Sequence, residues 1–270
     1  MGWRRHGGGS FVYFELKKYN EEFIERINAA KTKSKLDEVY KKVMQQHKPV
    51  IILFYSLLAV SCWYYFAFPK AFPVVSWNVR FWTGCVPLLS ALFLFGLVPM
   101  CIVKFVFRER LADYGLRLGI RYRTVRSFCL AAPFVILAGY FTGYNPAFYD
   151  VYPLNYAVRT HGQPPGETIG LGIFTFHCVL YLGYYFGWEF LFRGFMQHGL
   201  SERCGLPAAV LMQTAASTML HYGHPASEVF AAIAAGLVWG TFAYRTQSIL
   251  SGFGQHALLG IVLDYVLIYA

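Results

Sequence analysis

The sequence predicts an all-α fold: a polytopic transmembrane helix bundle of about seven spans, preceded by an amphipathic, basic helical segment. Three observations carry this reading. Of the 270 residues 56% are hydrophobic and only 14% charged, whereas about 25% are charged in a soluble domain. The apolar residues fall into runs of about the 20 residues needed to cross a bilayer. Aromatic residues make up 19%, which suits rings at the two membrane interfaces.

The first element is residues 1–48, a cytoplasmic amino-terminal segment. Leu16, Tyr19, Phe23 and Ile27 recur at helical spacing, as do Leu36, Val39, Tyr40 and Val43. They predict one or two amphipathic helices, lying on the membrane surface or forming a solvated hairpin. No signal peptide is expected, and His6 stands where a myristoylation motif has Ser or Thr. Seven apolar runs follow, near 49–68, 81–106, 124–144, 169–198, 205–222, 228–245 and 249–269. Residues 49–168 form the amino-terminal helices and a Pro- and Tyr-rich outer loop, Asn145 to Thr168, suited to capping the bundle. Residues 169–270 form a separate core. Gly139/Gly143, Gly183/Gly187 and Gly236/Gly240 are spaced for close helix packing.

The net charge of +10 does not suggest nucleic-acid binding, because of where the charge lies. Eleven of the 24 Lys and Arg precede the first run, and seven more lie between Lys104 and Arg126. With seven spans, connections 1–2, 3–4 and 5–6 hold only Lys70, Arg80 and Arg159. The amino-terminal side is therefore expected in the cytoplasm, with a bacterial plasma (inner) membrane as the expected location. Cys62, Cys85, Cys101, Cys129, Cys178 and Cys204 have no metal-type spacing and read as small buried hydrophobes.

Ionisable groups inside hydrocarbon are costly, about 3 kcal/mol or more each, and persist where they are paired or useful. Glu189 and Arg193 lie four apart in the fourth run and share a helix face. A salt bridge that only pins helices would explain that pair alone. His221 ends the fifth run and His256 lies in the seventh, so three helices contribute. Glu189 is 16 residues before Gly205 and His221 is 16 after it, which puts both at one depth in an antiparallel hairpin. His256 is about nine residues past its own turn, about 13 Å deep against about 24 Å for the other two. The depths agree if the fourth and fifth helices protrude into the cytoplasm, as the polar tail Gln197, His198, Ser201, Glu202 and Arg203 suggests. HExxH, G-x-S-x-G, Walker A and CxxC signatures are all missing.

From about residue 169 to 264 these motifs resemble the CPBP family: type II CAAX prenyl proteases, bacteriocin-processing proteins and Abi proteins. The family pattern is Glu-Glu-x-x-x-Arg, Phe-x-x-x-His and His-x-x-x-Asn/Asp, each on its own helix. Glu189 and Arg193 match the second Glu and the Arg, His221 the second motif and His256 the third. Gly194-Phe195 and the segment Gly236 to Gly240 are also similar to the family. Trp188 replaces the first Glu, Ser217 the Phe and Gly260 the last polar residue, with Asp264 one turn further along as a substitute. His224 and Glu228 are further auxiliary candidates.

The resemblance implies an intramembrane endopeptidase acting on a membrane-associated protein or peptide. Glu189 would be the general base, oriented by Arg193, while His221 and His256 hold the water and stabilise the oxyanion. Glu189, His221 and His256 would suit either a divalent metal such as zinc with an open water position or metal-free catalysis. Loss of the first Glu to Trp188 supports the alternative of a non-catalytic scaffold that binds a membrane partner or peptide. A transporter fits less well, since no inverted repeat is visible.

Overall fold

The structure is a computed structural model that describes residues 21, 33–68, 76–159 and 169–270. The helical readings at Leu16, Tyr19, Phe23 and Ile27 and the Thr168 end of the outer loop lie outside those residues. The chain divides between His47 and Lys48 into two compact units, and the contacts below belong to the second.

The described residues hold seven long helical segments and no strand. We label them α1 (Lys33–Phe66), α2 (Trp77–Val106), α3 (Arg121–Gly143), α4 (Leu171–Cys204), α5 (Leu206–Met219), α6 (Ala226–Thr246) and α7 (Leu250–Tyr269). The first, α1, starts well before the expected apolar run at 49 and continues through Pro49 without a break. Five helices, α1, α2, α3, α6 and α7, are long and apolar enough to cross a membrane. By contrast α5, at 14 residues, is shorter than the roughly 20 of a full span. The apolar run of α4 is interrupted by His177, three tyrosines and Glu189.

The outer faces are apolar: Phe54, Phe134 and Phe230 are 67–74% exposed. Inside a bilayer the hydrophobic effect does not drive helices together, so close packing must. Each glycine pair lies at a helix contact. A side chain at Gly139 or Gly143 would strike α7 at Leu259, Val262 or Val266. One at Gly187 would strike the α2 backbone at Ala91, and one at Gly236 would strike Thr214 of α5. Rings of α4 fill the centre: Tyr181, Phe190, Phe192 and Phe195 are fully buried.

The connections fall into two groups. Between α2 and α3, a short helical turn Leu111–Tyr114 leads to Gly115 and Gly119, both with positive φ. A side chain at Gly119 would overlap the Thr246 carbonyl oxygen, so only glycine fits. That connection is bonded to the α6–α7 connection. Ile120 N donates to Thr246 O (2.9 Å), Ile249 N to Gly115 O (3.0 Å), and Arg117 Nε to Gln247 O (2.9 Å). Here Arg110 hydrogen-bonds Asp113 and holds its carboxyl below the ordinary carboxylate range. The α3–α4 connection instead meets the starts of α2 and α6. Asn155 Nδ2 donates to Phe81 O (3.2 Å) and the Tyr152 hydroxyl to Glu228 Oε1 (2.6 Å).

Candidate active site

The polar set assembles in the middle of α4. Its hydrogen bonding widens to π-helical geometry over Phe190–His198, a feature that recurs at functional sites. Glu189 ends the α-helical part and Arg193 lies in the widened part. Glu189 is fully buried. Arg193 Nη1 lies 3.2 Å from Glu189 Oε1 as an ion pair, though without hydrogen-bond alignment. The guanidinium also sits 5.6 Å from the centre of the Trp239 ring on α6.

The same Glu189 oxygen lies 2.9 Å from His256 Nδ1 on α7. A carboxylate only accepts, so Nδ1 carries the hydrogen and Nε2 is the free end of the ring. Gly252, one turn before His256, makes this approach possible: a Cβ there would stand 2.9 Å from Glu189 Oε2. The imidazole packs between Tyr185 and Trp239, with ring centres at 4.4 and 4.6 Å. Trp239 Nε1 donates to Gln255 Oε1 (2.8 Å), and Gln255 Nε2 donates to Ser251 Oγ (2.8 Å), which fixes the neighbouring turn.

His221 lies just past the end of α5, with Nδ1 2.9 Å from Ser217 O. A carbonyl also only accepts, so this ring too carries its hydrogen on Nδ1. The Trp188 ring contacts both imidazoles edge-on, with centres 5.6 Å from His221 and 6.1 Å from His256. Glu189, His221 and His256 therefore come together at one level of the bundle, and α4 runs on to Cys204.

His221, His256 and Arg193 line one cavity of about 200 Å³, with Tyr185, Trp188 and Trp239. Glu228, at the start of α6, lines it as well. Glu228 Oε1 accepts from Tyr152, lies 3.0 Å from His224 Nδ1 and 3.9 Å from His221 Nε2. Burial, then the Glu228 charge, push the Tyr152 phenol well above its ordinary value, so its hydroxyl keeps the proton it donates. A cleft of about 610 Å³ adjoins this cavity and shares Tyr152, Trp188 and His221 with it.

Residues 170–262 match the family model described as type II CAAX prenyl endopeptidase Rce1-like. The match supports a CPBP family membrane protease. No curated protein and no solved structure matches the chain. The family segment holds every residue lining the cavity except Leu263 and those of α3 and the α3–α4 connection, notably Tyr152.

Set on the CPBP pattern, the structure separates the expected residues. Arg193, His221, His256, His224 and Glu228 come together around the cavity, or directly behind its wall. Glu189 does not line it. Its carboxylate sits behind His256, where it orients the imidazole rather than facing a water in the cavity. Asp264 goes elsewhere. It is fully buried against His177 of α4, with Oδ2 2.8 Å from Nε2, and cannot stand in for the polar residue missing at Gly260. The space beside Gly260 is filled by the Tyr185 hydroxyl, which a Cβ at 260 would overlap. Among the described residues no three His, Cys, Asp or Glu side chains are grouped to hold a metal ion. The Glu189, His221 and His256 set therefore does not fit one here, and no step below uses one.

Sequence reading missed His177, Tyr152 and Tyr185. Tyrosine is abundant in this chain and its spacing carries no signal, whereas His177, an ionisable residue in an apolar run, was findable. Gln255, adjacent to His256, was findable as a second buried polar residue on α7.

Proposed function

We propose that this protein is an intramembrane endopeptidase, similar in action to CAAX prenyl proteases, that hydrolyses a peptide bond in a membrane-associated protein or peptide. The carrying observation is that two imidazoles from separate helices, each fixed at Nδ1 by an acceptor, line one cavity. The CPBP match over the same helices supports the reading. In it, His221 Nε2 offers a lone pair to a water, and His256 Nε2 faces the scissile carbonyl. Glu189 favours the protonated His256 ring, as a buried carboxylate does behind a catalytic imidazole, and that ring then donates to the oxyanion. Arg193 holds Glu189 in place. The cavity and the larger cleft beside it are the substrate's route.

The chain would pass the membrane seven times, with the amino-terminal side cytoplasmic. Two facts support alternating sides. The α2–α3 and α6–α7 connections are bonded to each other, and the α3–α4 connection is bonded to the starts of α2 and α6. The basic residues gather on the first group, as expected for the cytoplasmic side.

A second reading, a non-catalytic binder of membrane peptides, is favoured by Trp188, whose ring packs against both imidazoles. The test uses purified protein in lipid nanodiscs and a pool of fluorescence-quenched peptides, farnesylated and unmodified. Wild type should cleave a member of the pool and His256→Ala should not, with both proteins folded. Peptide binding without cleavage would establish the binder instead.

A further inference from the structure

In the family pattern the first motif opens on two Glu, and here the first of them is replaced by Trp188. The cavity nevertheless holds a carboxylate. Among the described residues lining it, Glu228 is the only Asp or Glu. It comes from α6, one helix after His221, and lies outside every motif of the pattern.

Three details bear on its use. His221 carries its hydrogen on Nδ1, toward Ser217 O, so the neutral ring presents a lone pair at Nε2. That lone pair stands 3.9 Å from Glu228 Oε1, too far for a direct hydrogen bond and short enough for a bridging water. A water there meets two acceptors, donates one hydrogen to each and turns its own lone pair outward. Glu228 is held for this role: Oε1 accepts from Tyr152 and adjoins His224, while Oε2 is buried with no hydrogen-bond partner.

We propose that Glu228 supplies the carboxylate missing at Trp188 and is the general base of this enzyme, acting on a water held between it and His221. This rests on the peptidase reading. The water oxygen bonds to the scissile carbonyl carbon and its proton passes to Glu228. The tetrahedral intermediate then expels the amine. The C–N bond breaks, and the protonated Glu228 returns its proton to the leaving nitrogen. The products are one carboxylic acid and one amine, and the base is regenerated.

The test measures kcat and KM on a cleaved member of the same peptide pool, with the full chain in nanodiscs. Glu228→Gln, which keeps the shape and can still accept from Tyr152, should lower kcat at least about 100-fold with little change in KM. The double variant Trp188→Glu/Glu228→Gln restores a carboxylate at the family's own position and should regain at least a tenth of the wild-type kcat. A role confined to holding the Tyr152 and His224 contacts would not be rescued from position 188. Wild-type kcat in Glu228→Gln overturns the proposal and leaves the peptidase reading standing, as does loss without rescue when the double variant is folded by its thermal unfolding curve. Absence of cleavage by wild type across the pool overturns both.

Discussion

Removing the Glu189 carboxylate is the perturbation with the clearest arithmetic. The group is fully buried, and one oxygen serves both Arg193 at 3.2 Å and His256 at 2.9 Å. Glu189→Ala strands a buried guanidinium, which costs about 3–5 kcal/mol when one partner of a buried pair is lost. Glu189→Gln keeps the shape and an acceptor but not the charge, so the cost falls to about 2 kcal/mol, the range of one hydrogen bond to a charged group. The double replacement Glu189→Leu/Arg193→Met removes both charges and should recover most of the stability, because apolar groups of similar volume substitute well for a buried pair. Activity should follow another order. All three variants should lose about 100-fold or more in kcat, since His256 loses the carboxylate that fixes its Nδ1 hydrogen and orients the ring. Denaturant titration of detergent-solubilised protein gives the stabilities and the peptide assay gives the rates. If Glu189→Ala unfolds within about 0.5 kcal/mol of wild type, as at an unremarkable surface site, the Glu189 carboxylate is not what positions α4 against α7. If the double variant is stable and active, the pair has no part in the chemistry.

Three further predictions concern the surroundings. Replacing Asp264 by Leu breaks the buried contact with His177 and should cost about 3 kcal/mol in the same titration, while kcat of the folded fraction stays at the wild-type value. Gly260→Asn would rebuild the family's third motif on paper. In this chain it should destabilise by about 1–3 kcal/mol through overpacking against Tyr185, and Tyr185→Ala in the same chain should relieve the loss. Cys204 is exposed at the turn between α4 and α5. In a variant keeping only that cysteine, a membrane-impermeant maleimide should label inverted vesicles and leave right-side-out vesicles unlabelled. The opposite pattern would reverse the proposed orientation.

Much of the helical layout is legible in the sequence, because long apolar runs have few ways to satisfy their backbone in a bilayer other than helix. Runs at 81–106 and 249–269 match α2 and α7 to within a few residues. The equivalence fails where packing replaces lipid. The run at 205–222 reads as a span, yet its helix α5 has only 14 residues, and α4 carries tyrosines that are buried among neighbouring helices. The order of Glu189, Arg193, His221 and His256 and the shared level of Glu189 and His221 also follow from spacing, since a regular helix rises by a fixed amount per residue. Facing does not follow from spacing. The widened turn from Phe190 to His198 and the close approach at Gly252 set Glu189 behind His256, away from the cavity. Asp264 sits one turn beyond the expected polar position, yet it turns toward His177, a partner 87 residues earlier that no local pattern reveals.

The most direct test of the central claim, that two fixed imidazoles serve peptide hydrolysis in this cavity, is mass spectrometry of the peptide pool after incubation with wild-type protein in heavy-oxygen water. The account predicts a new carboxyl terminus carrying one heavy oxygen, and no such product from His221→Ala or His256→Ala. Intact peptides after incubation with folded wild-type protein, or labelled product that persists in both variants, would contradict it.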